Sequence, residues 1–223
     1  MQIIGHRGAR ACKTENTLDS FKEAIKLQVD WIEFDVRNTS DGETIVFHDT
    51  TLLRATGNAR KISSCTYNEL HTLNIDKDGN IIPSLNEAID FIATKAKINI
   101  EIKDAHSVNN VCNVIQKQVN AGRRMSDFMV SSFSTRILHK VHTTNKSIKL
   151  ALLLRLPFGF LKTDLPLYAV GFSHICAPHF AIKLAKNRGL WTYVWTVNSK
   201  SKALALSKRG IDAVVTDHAE WLK

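Results

Sequence analysis

Residues 2–8 read Gln2-Ile3-Ile4-Gly5-His6-Arg7-Gly8. A short apolar run stops at a polar turn, the pattern of a buried strand that delivers side chains to one end of a sheet. The turn separates two architectures. An open, doubly wound sheet favours a G-x-G-x-x-G phosphate turn after its first strand, and Gly5-His6-Arg7-Gly8 lacks that spacing. Outward from this stretch, short apolar runs alternate with helical patterns, and eight strands fall near residues 3, 33, 100, 129, 151, 173, 193 and 214. Strands alternating with helices imply right-handed βαβ units, and eight of them predict an α/β fold closed as a (β/α)8 TIM barrel.

The helices between these strands carry start signals. Asn16 or Thr17 can cap a helix that shows Leu18, Phe21, Ala24 and Ile25 on one face. Ser84-Leu85-Asn86-Glu87 is a capping box, and Ser134 caps a helix with Ile137, Leu138 and Val141. A helix is also predicted over Pro157 to Ala169, with Leu156, Phe158, Phe160 and Leu161 burying in it irregularly. One stretch breaks the rhythm. After the turn Ser40-Asp41-Gly42, Thr44 to Phe47 reads as a strand, and so short a turn makes it a hairpin partner of strand 2. His48 then folds back toward Asp35, and residues 49–83 form a small inserted segment over the same barrel end. The chain reads as one domain, residues 1–223.

The composition excludes several classes. Of 223 residues, 44% are hydrophobic and 23% charged, which argues against disorder and coiled coil. The longest mainly apolar stretch, Leu150 to Leu161, is interrupted by Arg155, Pro157 and Gly159 and is too short to span a membrane. No signal-peptide pattern precedes His6, so a cytoplasmic location is expected. Cys12, Cys65, Cys112 and Cys176 form no close pairs and are expected to be buried free thiols. The net charge of +9 reads for the most part as solvated Lys-rich helix faces; the alternative is an anionic partner: nucleic acid, a membrane surface or a phosphorylated small molecule. No run of like charges or zinc-finger spacing supports nucleic acid. Stable membrane insertion is not expected, transient membrane contact is compatible with the apolar stretch, and monomer and homodimer remain open.

In a parallel barrel, chemistry sits at the C-terminal strand ends. Period 2 places Glu33 and Asp35 on one face of their strand, and Glu101 with Lys103 on one face of theirs. Three carboxylates at one barrel mouth repel each other, and a hard divalent cation, Mg²⁺ or Ca²⁺, offsets that cost. His6 and His48 flank the cluster as candidate general acid and base. The other seven histidines read as structural or exposed. Arg7 and Lys103 supply fixed positive charge for a phosphate. Trp195 reads either as an apolar wall over a substrate or as barrel core.

These residues together resemble the glycerophosphodiester phosphodiesterases. The matching signatures are His6-Arg7-Gly8, Glu15-Asn16-Thr17, Glu33-Phe34-Asp35-Val36, Asp41-Gly42, Val46-Phe47-His48-Asp49, Pro83-Ser84-Leu85, Glu101-Ile102-Lys103, Ser132-Phe133, Trp195-Thr196-Val197-Asn198 and Thr216-Asp217. They run in order along essentially the whole chain. The resemblance implies a barrel enzyme that hydrolyses glycerophosphodiesters to an alcohol and sn-glycerol 3-phosphate. It implies a divalent cation on Glu33, Asp35 and Glu101, acid–base work by His6 and His48, and phosphate contact by Arg7 and Lys103. It further implies attack by the glycerol 2-hydroxyl, giving a cyclic phosphate that water opens. Thr14 and His218-Ala219 stand where the family often has proline. The alternatives are a lysophospholipase D, whose acyl chain would meet the apolar stretch at Leu156 to Leu161, and a non-catalytic phosphodiester-binding barrel.

Overall fold

The computed structural model describes the backbone of residues 1–222 and the side chains of residues 1–220. Among the described residues nine strands form: β1 (Gln2–His6), β2 (Trp31–Asn38), β3 (Thr44–Val46), β4 (Lys97–Ile102), β5 (Phe128–Ser132), β6 (Lys149–Leu154), β7 (Ala169–Ser173), β8 (Trp191–Trp195) and β9 (Ala213–Thr216). Eight pair in parallel in the order β1-β9-β8-β7-β6-β5-β4-β2, and β1 pairs with β2 to close the barrel. The ninth, β3, runs antiparallel to β2 with Val46 opposite Val36, the hairpin read from the sequence.

Two apolar layers hold the barrel. Strand residues such as Ile32, Phe34, Ile100, Ile102, Val130 and Val194 point outward and pack with the helices in one large core. Ile4, Trp31, Met129, Leu153, Tyr193 and Val215 point inward and fill the barrel floor. Alternation along each strand therefore sorts its residues between layers, and the polar inward positions fall at the upper strand ends.

The connecting helices are α1 (Leu18–Lys26), α4 (Leu85–Ile92), α5 (Ser107–Asn120), α6 (Thr135–Thr144), α7 (His179–Asn187) and α8 (Lys200–Lys208), with the short α2 (Leu53–Thr56) and α3 (Tyr67–His71) in the inserted segment. Thr17, not Asn16, caps α1, accepting from Ser20 N at 3.1 Å. The capping box of Ser84 and Glu87 and the Ser134 cap form as predicted. The inserted segment packs on Ile45 of β3 in a separate cluster that includes Leu52, Ile62, Leu70 and Ile82.

Two expectations fail. No α-helix forms over 157–169; a four-residue 3₁₀ turn, Gly159–Lys162, stands there instead. Pro157, Gly159 and Pro166 interrupt the segment, and Phe158 at the turn's start supplies no side-chain cap. Of the four apolar residues expected to bury in it, Phe160 alone does so, while Leu156, Phe158 and Leu161 are exposed. The second concerns the thiols. Cys65 and Cys112 are buried, but Cys12 is exposed and Cys176 half-buried, because both lie on loops at the barrel's upper end. Among the described residues, no helix is long and apolar enough to cross a membrane.

Candidate active site

Strand register assembles the site. His6 on β1 stands opposite Glu33 on β2, and Asp35 on β2 stands opposite Glu101 on β4. Ligand oxygens of Glu33, Asp35 and Glu101 all lie within 4.8 Å of one another, and all three residues are buried. They sit in a cavity of about 710 Å³ that His6, Arg7, His48, Lys103 and Trp195 also line. Asp35 is the exception, buried behind the lining residues. Every residue singled out in the sequence is thus brought to this one barrel end.

The turn after β1 is held in an uncommon shape. Arg7 (φ 53°) and Asn16 (φ 60°) both adopt left-handed backbone, which costs a non-glycine residue about 1 kcal/mol or more. Hydrogen bonds fix it: Arg7 N donates to Glu33 Oε2 at 3.0 Å, Asn16 N donates to Arg7 O at 3.0 Å, and Ser20 Oγ donates to Arg7 O at 2.8 Å. Gly8 (φ 87°) closes the turn, and a Cβ there would lie 2.2 Å from Ser20 Oγ and 2.8 Å from Ser20 backbone atoms. Gly8→Ala is therefore expected to destabilise the protein by about 3 kcal/mol, from strain and overpacking together, with a lowered urea midpoint as the readout.

Cations are interleaved with the carboxylates. Lys103 Nζ lies 2.9 Å from Asp35 Oδ1 and 2.5 Å from Glu101 Oε1, and Arg7 Nε lies 3.1 Å from Asp35 Oδ2. Asn16 Nδ2 also donates to Asp35 Oδ2 at 3.1 Å. Burial pushes the Asp35 carboxyl up, but Lys103 and Arg7 outweigh it and hold the group well below the usual carboxylate range. Glu33 and Glu101 go the other way. Burial and then the Asp35 charge raise both, Glu101 to about 7. This is an all-oxygen, hard donor set with more negative charge than its own lysine and arginine neutralise, and it fits a divalent cation.

That fit carries a pH dependence. A cation requires both raised carboxyls deprotonated, so binding releases protons and weakens as pH falls through about 7. Mg²⁺ affinity by calorimetry is expected to drop by about tenfold or more between about pH 8 and about pH 6. Equal affinity at both would remove Glu101 from the ligand set.

Each histidine has a carboxylate at its back. His6 Nδ1 lies 2.6 Å from Asp217 Oδ1, and His48 Nδ1 lies 2.6 Å from Asp49 Oδ1. In each pair a proton on Nδ1 fixes the tautomer and leaves Nε2 for chemistry. Burial lowers the His48 ring below its ordinary value, so it is neutral at pH 7. Asp217 and Asp49 are each held at about 2: burial raises them, but the His6 bond on Asp217, and the Arg54 and His48 bonds on Asp49, more than compensate.

Asp217 is set by Asn198, whose Nδ2 donates to Oδ2 at 2.6 Å and whose Oδ1 accepts from Asp217 N at 2.9 Å. Asp49 is set by Arg54, which also donates to Glu15, and Glu15 in turn pairs with Arg7 and Arg10. The inserted segment thereby anchors both the His48 dyad and the β1 turn. Trp195 is both tied into the barrel and turned to the cavity. Its Nε1 donates to Gly171 O at 3.1 Å within the barrel, and its ring lines the cavity edge-on to Phe133 at 5.3 Å.

Asp217, Asp49, Asn198, Glu15 and Asn16 are functional candidates to which the sequence reading assigned no catalytic, metal or phosphate role. All five lie inside the quoted signatures. The Glycerophosphoryl diester phosphodiesterase family matches residues 6–221. The chain belongs to this family. It is accordingly an enzyme of the phosphoric diester hydrolases that acts on glycerophosphodiesters. The chain is 28% identical over 234 residues to a glycerophosphodiester phosphodiesterase of Caldanaerobacter subterraneus subsp. tengcongensis, covering 99% of this chain and 95% of that protein. It is 26% identical over 272 residues to human lysophospholipase D GDPD1, covering 99% and 84%. Its fold matches an Oleispira antarctica phosphodiesterase, solved in complex with the product sn-glycerol-3-phosphate, at a TM-score of 0.90 and 24% identity, covering 100% of this phosphodiesterase and 95% of that one.

Proposed function

We propose that this phosphodiesterase cleaves glycerophosphodiesters to an alcohol and sn-glycerol 3-phosphate, using two histidines and one divalent cation. The observation that carries the reading is the pair of His–Asp dyads flanking a buried cluster of three carboxylates. Binding alone needs neither dyad, which disfavours a non-catalytic barrel. Glu33, Asp35 and Glu101 would hold the cation, Mg²⁺ or Ca²⁺, which when bound supplies Lewis-acid polarisation of the phosphate.

The remaining work falls to the chain's own side chains. Arg7 and Lys103 hold the phosphate and stabilise the charge that builds on its oxygens. His48, neutral at pH 7, takes the proton of the attacking hydroxyl, which the family resemblance identifies as the substrate's glycerol 2-hydroxyl. His6, its Nδ1 proton held by Asp217, delivers a proton from Nε2 to the leaving alcohol; water, deprotonated by His6, then opens the cyclic phosphate while His48 returns its proton to the glycerol 2-hydroxyl, which gives sn-glycerol 3-phosphate and restores both rings. Trp195 and Phe133 wall the cavity and would offer the substrate an apolar surface. Replacing His6 or His48 on glycerophosphocholine tests the assignment.

The lysophospholipase D reading rests on one observation, the exposure of Leu156, Phe158 and Leu161 beside the mouth. Turnover of lysophosphatidylcholine at a rate comparable with glycerophosphocholine would establish it; a rate lower by about a hundredfold would confine the enzyme to water-soluble diesters.

A further inference from the structure

The positive charge of this chain lies on one half of the barrel. Residues 128–211, from β5 through the turn after α8, hold thirteen of the thirty Lys and Arg but one of the twenty-one carboxylates, Asp164. The rest of the chain is net acidic, with seventeen cations against twenty carboxylates. The +9 charge is therefore a property of one wall, not of the whole surface.

That same half carries the large exposed apolar residues of the mouth. Leu156 (72% exposed), Phe158 and Leu161 stand on the loop after β6, and Ile175 (80%) and Phe180 (57%) on the loop after β7 and the start of α7. The Phe158 and Phe180 rings stack at 5.3 Å, so the two loops meet and their apolar residues form one patch. Lys162 follows Leu161 and Lys183 lies one helical turn beyond Phe180, and both are exposed. On its inner side the patch runs into the active-site cavity, whose lining includes Ile175.

An apolar patch at a mouth, rimmed by cations and nearly free of carboxylates, has the chemistry of an interfacial anchor: hydrocarbon for the acyl boundary, charge for anionic head groups. The patch's two rings, Phe158 and Phe180, stack on each other, and Leu156, Leu161 and Ile175 carry no ring on which a base can stack, which disfavours a nucleic acid. We infer that the loops after β6 and β7 dock this enzyme on an anionic lipid bilayer, with the barrel mouth turned toward the lipid surface. The inference stands on surface chemistry and does not depend on the acid–base assignment. It gives the enzyme access to phosphodiesters carried by a membrane as well as those free in water.

Flotation with vesicles tests it without using catalysis. Native protein is expected to bind phosphatidylcholine vesicles containing about 30% phosphatidylglycerol at least about tenfold more tightly than phosphatidylcholine alone, and to be released by salt. The triple variant Leu156→Ser, Leu161→Ser, Phe180→Ser is expected to lose about tenfold in affinity for the mixed vesicles while hydrolysing glycerophosphocholine at the native rate. A second variant, Lys162→Glu with Lys183→Glu, keeps the apolar residues and is expected to lose the preference for phosphatidylglycerol. Absence of native binding to mixed vesicles at low salt would overturn the inference. So would a folded triple variant that binds as well as native, which would reduce the effect to charge alone, or tighter binding to duplex DNA than to the vesicles.

Discussion

His48→Ala and His6→Ala are each expected to lower kcat on glycerophosphocholine by about 10²–10⁴-fold, with little change in KM. The basis is position. Each ring lines the cavity, is backed by a carboxylate at 2.6 Å and flanks the three-carboxylate cluster, yet neither is a member of that cluster. Removing either leaves the proposed phosphate contacts of Arg7 and Lys103 in place, so the loss is expected to fall on the chemical step. Asp217→Asn sharpens the test, because an amide cannot hold the Nδ1 proton as a carboxylate does. It is expected to lower kcat by about 10²-fold or more with the fold intact. Steady-state kinetics that assign the loss to KM alone would sink the acid–base roles.

Glu101→Gln is expected to separate function from stability in opposite directions. The substitution keeps shape and removes one of three converging charges, so cation affinity is expected to fall by about 10²-fold and turnover by a similar factor. Metal-free stability should rise. A carboxyl whose folded pKa is raised binds a proton more tightly in the folded chain. Its contribution to stability is therefore lost as pH climbs from the ordinary glutamate value of 4.5 through about 7. Above that range the ionised group costs on the order of 3 kcal/mol, which the amide avoids. Lys103 keeps Asp35 as its partner at 2.9 Å. At about pH 8 in chelator, the variant should melt several degrees above the native enzyme, read by calorimetry. A lower melting point would mean that Glu101 serves to neutralise Lys103 rather than to hold a cation.

What the sequence made legible follows from range. Strands and their inward faces could be read because burial enforces period 2 locally, so Glu33 and Asp35 declared themselves within three residues. The β3 hairpin was readable from the Ser40-Asp41-Gly42 turn, and from it the return of His48 beneath Asp35, where Phe47 N donates to Asp35 O at 2.9 Å. Residues 157–169 were misread because spacing between strands calls for a crossover there. The call for length is met by a 3₁₀ turn and extended chain, which leaves apolar side chains in solvent.

The dyads were hidden for a different reason. Asp217 meets His6 across 211 residues of chain, a contact made only when β9 closes the barrel beside β1. No local pattern encodes it. Asp49 adjoins His48 in sequence, but adjacency does not say that the side chains turn toward each other. Arg54 of the inserted segment decides that, by fixing Asp49 from the other side at 2.6 Å.

The most direct test of the central claim is release of sn-glycerol 3-phosphate from glycerophosphocholine by chelator-treated enzyme, before and after Mg²⁺ or Ca²⁺ is returned, with His48→Ala alongside. Release that is absent in chelator, restored by one of the ions and abolished in His48→Ala is the predicted result. Undiminished release in chelator, or native rates from His48→Ala, would contradict a mechanism that joins a carboxylate-held cation to histidine acid–base chemistry.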